Sequence, residues 1–580
     1  MSKISRRHFL RSSGAIMLGF SGLHTFFANS AFGQDPANSI PFGYGDLIPD
    51  PNGIIDLPEV FTYQVISRTG DSMDDGLLVP GNHDGMAAFP GPGGKTILIR
   101  NHENTASGSS AFGVRNELLG QVDQKLLYDA GNGTRPALGG TTTLVYDTNT
   151  ALLESHYLSL AGTMRNCAGG PTPWNSWITC EENLQRAAGT FEKVHGYNFE
   201  VPASTTVGLV TPVPLKTMGR FNHEAIAVHP DSGIVYQTED RNDGLIYRFI
   251  LDRPGNLATG GRLQALKIRG MNSADTRNWV NQTILSDQLM DVEWLDIENV
   301  ESPNDDLRFQ GFGNGAARFA RGEGMWYGRD AKYGRDAIYF ACTSGGSRQV
   351  GQIWRYMPSP FEGTPDENRQ PGQLALFIEP NNSALLEKVD NVTVSPWGDL
   401  ILCEDGSGEQ FLVGVTPQGE TYKFAKNSMN SSEFAGATFS PDGSTLFVNI
   451  QSPGLTLALT GPWHRPIVAV EPRGKLTTTF GEVKRSALLQ NYPNPFNPET
   501  WIPFRLEQDA HVEIHIYSTA GDLVRKLDLG HKPVGVYENQ SKAAYWDGRN
   551  ETGELVSSGV YFYQMRTDSF RAMKKLVVRK

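Results

Sequence analysis

Short acidic and thiol-bearing clusters recur along this chain of 580 residues, each where a short apolar run ends. They are His102/Glu103, Cys180/Glu181/Glu182, Glu239/Asp240, Cys342/Thr343/Ser344, Cys403/Glu404/Asp405 and Asn449/Gln451. Carboxylates gathered in a partly dry place repel one another unless cations neutralise them, so convergence of these clusters would ask for metal ions. Hard oxygen ligands suit calcium or magnesium, whereas a thiolate from Cys180 or Cys403 asks for a softer ion such as iron or zinc. A mixed donor set points to mixed metals. Acidic pairs at strand ends are also ordinary solvated loop residues, and spacing alone does not separate the two readings.

Whether the clusters meet depends on the elements that carry them. Gly (63) and Pro (34) are frequent, β-rich runs are short and stretches of helical period are few, which predicts an all-β chain. One unit recurs: an apolar strand, a Pro or Gly turn, a return strand and a polar cluster. Its clear copies are Ala225 to Asp240, Asn391 to Gly406 and Gly436 to Gln451; looser ones are Met86 to Asn104, Gly169 to Asn183 and Tyr333 to Gly346. Each reads as a hairpin, and six of them predict a six-bladed β-propeller with insertions such as Asp252 to Asn304 between blades. Equivalent strands of a propeller end at one pole of its channel, which would bring the clusters together. Trp174, Trp177, Trp326 and Trp397 read as its core.

At the N-terminus, Ser5-Arg6-Arg7-His8-Phe9-Leu10-Arg11 followed by an apolar run matches a twin-arginine signal, with Ala31-Phe32-Gly33 as its exit. Residues 1–33 are thus expected to be a signal peptide read by the twin-arginine export machinery, with periplasm, cell surface or medium as destination. A net charge of −12 argues against nucleic acid and anionic membranes as partners, and no later stretch is long and apolar enough to span a bilayer. Four cysteines are too few for a disulfide scaffold. The propeller is expected over 34–481. Short alternating strands over 482–580 predict a second, small immunoglobulin-like β-sandwich.

Two resemblances sharpen these expectations. NCAGGPTPWNSWITCEEN (Asn166 to Asn183), GRFNHEAIAVHPDSGIVYQTEDR (Gly219 to Arg241), ARGEGMWYG (Ala320 to Gly328), IYFACTSGG (Ile338 to Gly346) and NVTVSPWGDLILCED (Asn391 to Asp405) resemble the PhoX alkaline phosphatases. NYPNPFNP, YSTAGDLVRKL, WDGRNETG and the ending from Gly559 resemble the FlgD immunoglobulin-like domain and type IX sorting domains, so the tail is expected to act as a spacer or a sorting signal.

The PhoX resemblance implies iron and calcium as cofactors, phosphomonoesters as substrates and attack by a metal-activated oxide or hydroxide. It places the iron-binding thiolate at Cys180, with Glu181 beside it; Cys167 remains open as a ligand or as a disulfide partner of Cys180. It makes Glu224 a metal carboxylate; the neighbouring His223 reads as a satisfied core histidine. Glu323 becomes a catalytic metal ligand, with Arg321 clamping phosphate oxygens. Here Gly322 departs from the family's R-P-E-G and loosens the backbone. Glu103, Glu239, Asp240, Asp390, Glu404 and Asp405 complete the expected metal ligands. No serine stands in a nucleophile-elbow context. The other functions compatible with such a propeller are a phosphodiesterase, a lactonase, or a calcium-braced surface module without activity.

Overall fold

The computed structural model describes residues 43–463 and most of 486–579. The expected twin-arginine signal and the boundary at 481/482 lie outside the described residues. The chain divides into two compact units, 1–468 and 469–580. Strands dominate both, and one α-helix, Leu307–Gly313, occurs among the described residues. No helix there is long and apolar enough to cross a membrane.

The first unit is built from six antiparallel repeats, each opened by an inner strand. These strands are β1 (His83–Pro90), β2 (Asn166–Pro171), β3 (His223–Val228), β4 (Gly322–Asp330), β5 (Val389–Val394) and β6 (Phe434–Phe439). Each pairs with the strand that follows it, and five of the six repeats extend to four strands while that of β2 has three. The inner strands neighbour one another in the order β1, β2, β3, β4, β5, β6 and back to β1, a closed ring. The last repeat takes its fourth strand from the start of the chain: Thr62–Arg68 pairs with Leu455–Thr460. The six sequence copies fall on the inner hairpins. Within the expected insertion, however, Gly261–Ile268 is the fourth strand of the third repeat and Met290–Asp296 joins that repeat's sheet to the next.

Every inner strand carries a register shift near its first residues, two residues standing against one of the partner. Such a bulge re-aims side chains and bends the strand. It falls at Asp84-Gly85, Cys167-Ala168, Glu224-Ala225, Glu323-Gly324, Asp390-Asn391 and Gly436-Ala437, or within a residue of these. Small residues there let the strands crowd the axis. A Cβ on Gly324 would lie 2.4 Å from the Asp390 carbonyl oxygen, and one on Gly85 would lie 2.6 Å from Ala168 Cα. Below the bulges the axis is filled by one or more residues from each inner strand, leaving a cavity of about 20 Å³, room for scarcely more than one water.

Just before each bulge stands a rim position, two residues ahead at Asn82, Arg165, Asn222, Arg321 and Lys388 and three ahead at Glu433. Its carbonyl accepts a hydrogen bond from the N–H of the residue just after the repeat's second strand, namely Glu103, Glu182, Asp240, Thr343, Asp405 and Gln451. The six bonds span 2.9–3.2 Å and repeat one geometry around the ring. Asn82, Arg165, Arg321 and Lys388 have φ between 48° and 56°, the left-handed region.

The second unit has a four-stranded antiparallel sheet and smaller three- and two-stranded sheets. They share an apolar cluster that includes Phe504, Ile514, Ile516, Trp546, Tyr563 and Leu576.

Candidate active site

The bulges and the ends of the second strands meet at the same pole. Three groups of ligand-type side chains converge there, the ligand atoms of each lying within 4.8 Å of one another: Cys167, Glu182 and Glu224; Asp84, Glu103 and Glu433; Glu224, Glu323 and Asp390. All are buried or nearly so. Burial and the neighbouring carboxylates push Asp84, Glu224, Glu323 and Glu433 well above the carboxylate range. The same two causes lift Asp390 to about 7, and Glu182 rises to about 8 against the pull of Arg165. Burial, then Glu224, raises the Cys167 thiol. A cation among these groups removes the cost of both burial and repulsion. The residues fit metal ions on a further count: Asp390 Oδ1 is buried without a hydrogen-bond partner although it faces Glu224 and Glu323.

Two guanidiniums stand on the rim. Arg321 donates from Nε and Nη2 to the two Asp240 carboxylate oxygens at 2.7 and 2.8 Å, and from Nη2 to Glu323 Oε1 at 2.7 Å. Its backbone N–H donates to the Arg241 carbonyl at 3.0 Å, so the slack expected from Gly322 is taken up by contacts on both sides. Arg165 donates to Glu103 Oε1 from Nε at 3.0 Å and pairs with Glu182 Oε2 at 2.6 Å.

Of the residues expected at the site, Glu103, Glu224, Glu323 and Asp390 lie in the three groups. Asp240 and Asp405 flank them, Asp240 on Arg321 and Asp405 beside Asp390. Four lie elsewhere. Cys180 shares a strand face with Ile178 and packs among Met218, Phe221, Ile226 and Tyr247. Glu181, on the opposite face, is saturated: it accepts from Met164, Gly196 and Tyr197 N–H groups and from His195 Nδ1 at 2.6 Å. Glu239 accepts from the Leu245 N–H and the Tyr247 hydroxyl and faces Arg308. Glu404 accepts the Glu387 N–H at 2.7 Å. The thiol at the site is instead Cys167, and all four cysteines are free, so Cys167 and Cys180 form no disulfide.

Asp84, Glu182 and Glu433 escaped the sequence reading as ligands, and Cys167 remains open there as a ligand or a disulfide partner. A signal existed: in five inner strands a ligand-type residue is followed by a small or amide one, as in Asp84-Gly85, Cys167-Ala168, Glu224-Ala225, Glu323-Gly324 and Asp390-Asn391. Glu433 has the same place in its repeat as Arg165 and Arg321 have in theirs.

An all-β ring with a thiol and carboxylates gathered at one pole defines a propeller-like protein with donor clusters that could hold metal ions. The sequence over residues 42–454 matches the model of the alkaline phosphatase PhoX family, and the chain belongs to that family of phosphatases. Residues 496–569 match the FlgD Ig-like domain. Among solved structures the chain is similar to Pseudomonas fluorescens PhoX in complex with vanadate, a transition state analogue. That match has a TM-score of 0.53 at 18% identity and covers 73% of this chain and 97% of that one. A Xanthomonas campestris gluconolactonase is more distant, with a TM-score of 0.34 at 12% identity, covering 72% and 98%. No curated protein sequence matches.

Proposed function

We propose that this chain is an exported phosphomonoesterase dependent on iron and calcium, with its active site at one mouth of a six-bladed β-propeller. The observation that carries the reading is the convergence of three ligand groups, one with a thiol and two with carboxylates alone, beneath Arg321. Cys167, with Glu182 and Glu224, is the donor set that suits iron; Asp84, Glu103 and Glu433 suit calcium; Glu224 joins the first group to Glu323 and Asp390. When bound, these ions supply the positive charge that gathers phosphate oxygens and activates a water-derived nucleophile. The buried carboxylates hold them rigidly and exclude bulk water from beneath. Arg321, fixed by Asp240 and Glu323, turns its remaining N–H groups toward an incoming phosphate and stabilises its equatorial oxygens.

The twin-arginine pattern supports export beyond the inner membrane, and phosphate scavenging is the role such an enzyme would serve there. The tail is read as an immunoglobulin-like sandwich serving as spacer or sorting signal. The test is hydrolysis of p-nitrophenyl phosphate by the folded, metal-loaded protein beside Cys167→Ser and Glu323→Gln. The expected result is turnover by wild type, inhibited by vanadate, with kcat/KM lower by about a hundredfold or more in both variants, the scale of losing a residue that acts on the transition state. Turnover no higher than in the variants would sink the reading.

A further inference from the structure

We infer that Arg165 is a second phosphate-binding residue, the counterpart of Arg321 across the mouth; this rests on the phosphatase reading above. The two occupy the same rim position of different repeats, and their backbone settings agree bond by bond. Each has a left-handed backbone, φ 48° at Arg165 and 56° at Arg321. Each donates its N–H to the carbonyl that follows the second strand of the preceding repeat, Asn104 at 2.8 Å and Arg241 at 3.0 Å. Each accepts at its carbonyl from the residue just after its own second strand, Glu182 at 2.9 Å and Thr343 at 3.0 Å.

The side chains repeat the pattern. Each guanidinium spends Nε and Nη2 on carboxylates of two adjoining repeats: Glu103 and Glu182 for Arg165, Asp240 and Glu323 for Arg321. Each is exposed to the same degree, 36% of its side chain. The Nη1 of Arg321 makes no hydrogen bond among the described residues, and that of Arg165 makes a single long one of 3.5 Å to the Glu182 carbonyl. Both side chains are therefore anchored at one edge and open at the other, the arrangement a guanidinium needs to grip an oxyanion without paying to order itself. Glu103 and Glu182 belong to two different ligand groups, so Arg165 stands over the seam between them. A purely structural strut would need no open edge.

The experiment measures inorganic phosphate and vanadate binding by calorimetry, p-nitrophenyl phosphate kinetics, and metal content for wild type, Arg165→Lys and Arg165→Gln. Expected for Arg165→Gln is a rise of about ten- to a hundredfold in KM and in the vanadate and phosphate dissociation constants at unchanged metal content, a loss on the scale of a charge-assisted hydrogen bond. Arg165→Lys, which keeps the charge but not the fork, should recover part of it. Unchanged phosphate and vanadate affinity would overturn the inference. So would loss of metal with affinity per loaded site intact, which would make Arg165 a tether of Glu103 and Glu182. Wild type that binds phosphate but hydrolyses nothing would overturn the phosphatase reading and leave the clamp standing, and wild type that binds no phosphate would overturn both.

Discussion

Cys167 and Cys180 lie on paired strands of one repeat, yet only Cys167 joins a group of ligand-type side chains. Cys180→Ala is expected to cost about 1–2 kcal/mol in thermal unfolding, as buried truncations do, while metal content stays at the wild-type level. Cys167→Ser should leave stability of the metal-free protein nearly unchanged and abolish any thiolate-to-iron absorption band. If instead Cys180→Ala removes the band, the assignment of the thiol is wrong. His195 offers a pH test away from the ligands. Burial would depress its imidazole, but Glu181 and then Asp129 overcome it and hold it at about 9. A histidine raised in the folded state stabilises fully below its unfolded value of about 6.5 and loses that contribution as pH climbs through 9. His195→Gln should therefore destabilise by about 3 kcal/mol at pH 6 and by much less at pH 10. Denaturant titrations at the two pH values measure this, and an equal loss at both would show that the ion pairs contribute nothing.

At the scale of the element, the bulge is what turns an ordinary strand into a ligand-bearing one. Gly324→Ala places a Cβ 2.4 Å from the Asp390 carbonyl oxygen and 2.6 Å from the Val392 nitrogen, so β4 and β5 must part. Glu323 and Asp390 ride on those strands. The variant is expected to lose at least tenfold in kcat/KM together with part of its metal, whereas Gly120→Ala, with open space at its Cβ, should match wild type in both. Equal behaviour of the two would deny that strand approach sets the site. This is also where sequence reading succeeded and stopped. The hairpins from Ala225, Asn391 and Gly436 were legible because turn residues and apolar alternation are local signals. The ligands at the strand starts were less so: Asp84 and Cys167 look like loop residues until the bulge turns them inward, and Glu433 precedes its strand altogether. The family resemblance led to Cys180 and Glu181, at the end of the return strand. Strand alternation sends those two to opposite faces, neither of them toward the axis.

At the scale of the whole molecule, the ring depends on a pairing that no local pattern announces. Thr62 and Thr460, 398 positions apart, face each other on the closing strands, their hydroxyls 3.1 Å apart. Deleting residues 43–68 removes the fourth strand of the last repeat and exposes Leu455, Leu457 and Leu459, all buried in the intact chain. Such a truncation is expected to abolish cooperative thermal unfolding and hydrolysis alike, and a sharp transition near the wild-type temperature would refute the role given to closure. The same strand imposes a schedule. Residue 62 leaves the ribosome early and waits until residue 460 has been made, so the ring cannot be finished during most of synthesis. A translocation route that threads extended chain would present the far side of the membrane with an unpaired edge for that whole interval. One that carries finished cargo lets the edge find its mate first, and lets ions be taken up from the compartment in which the ring closes.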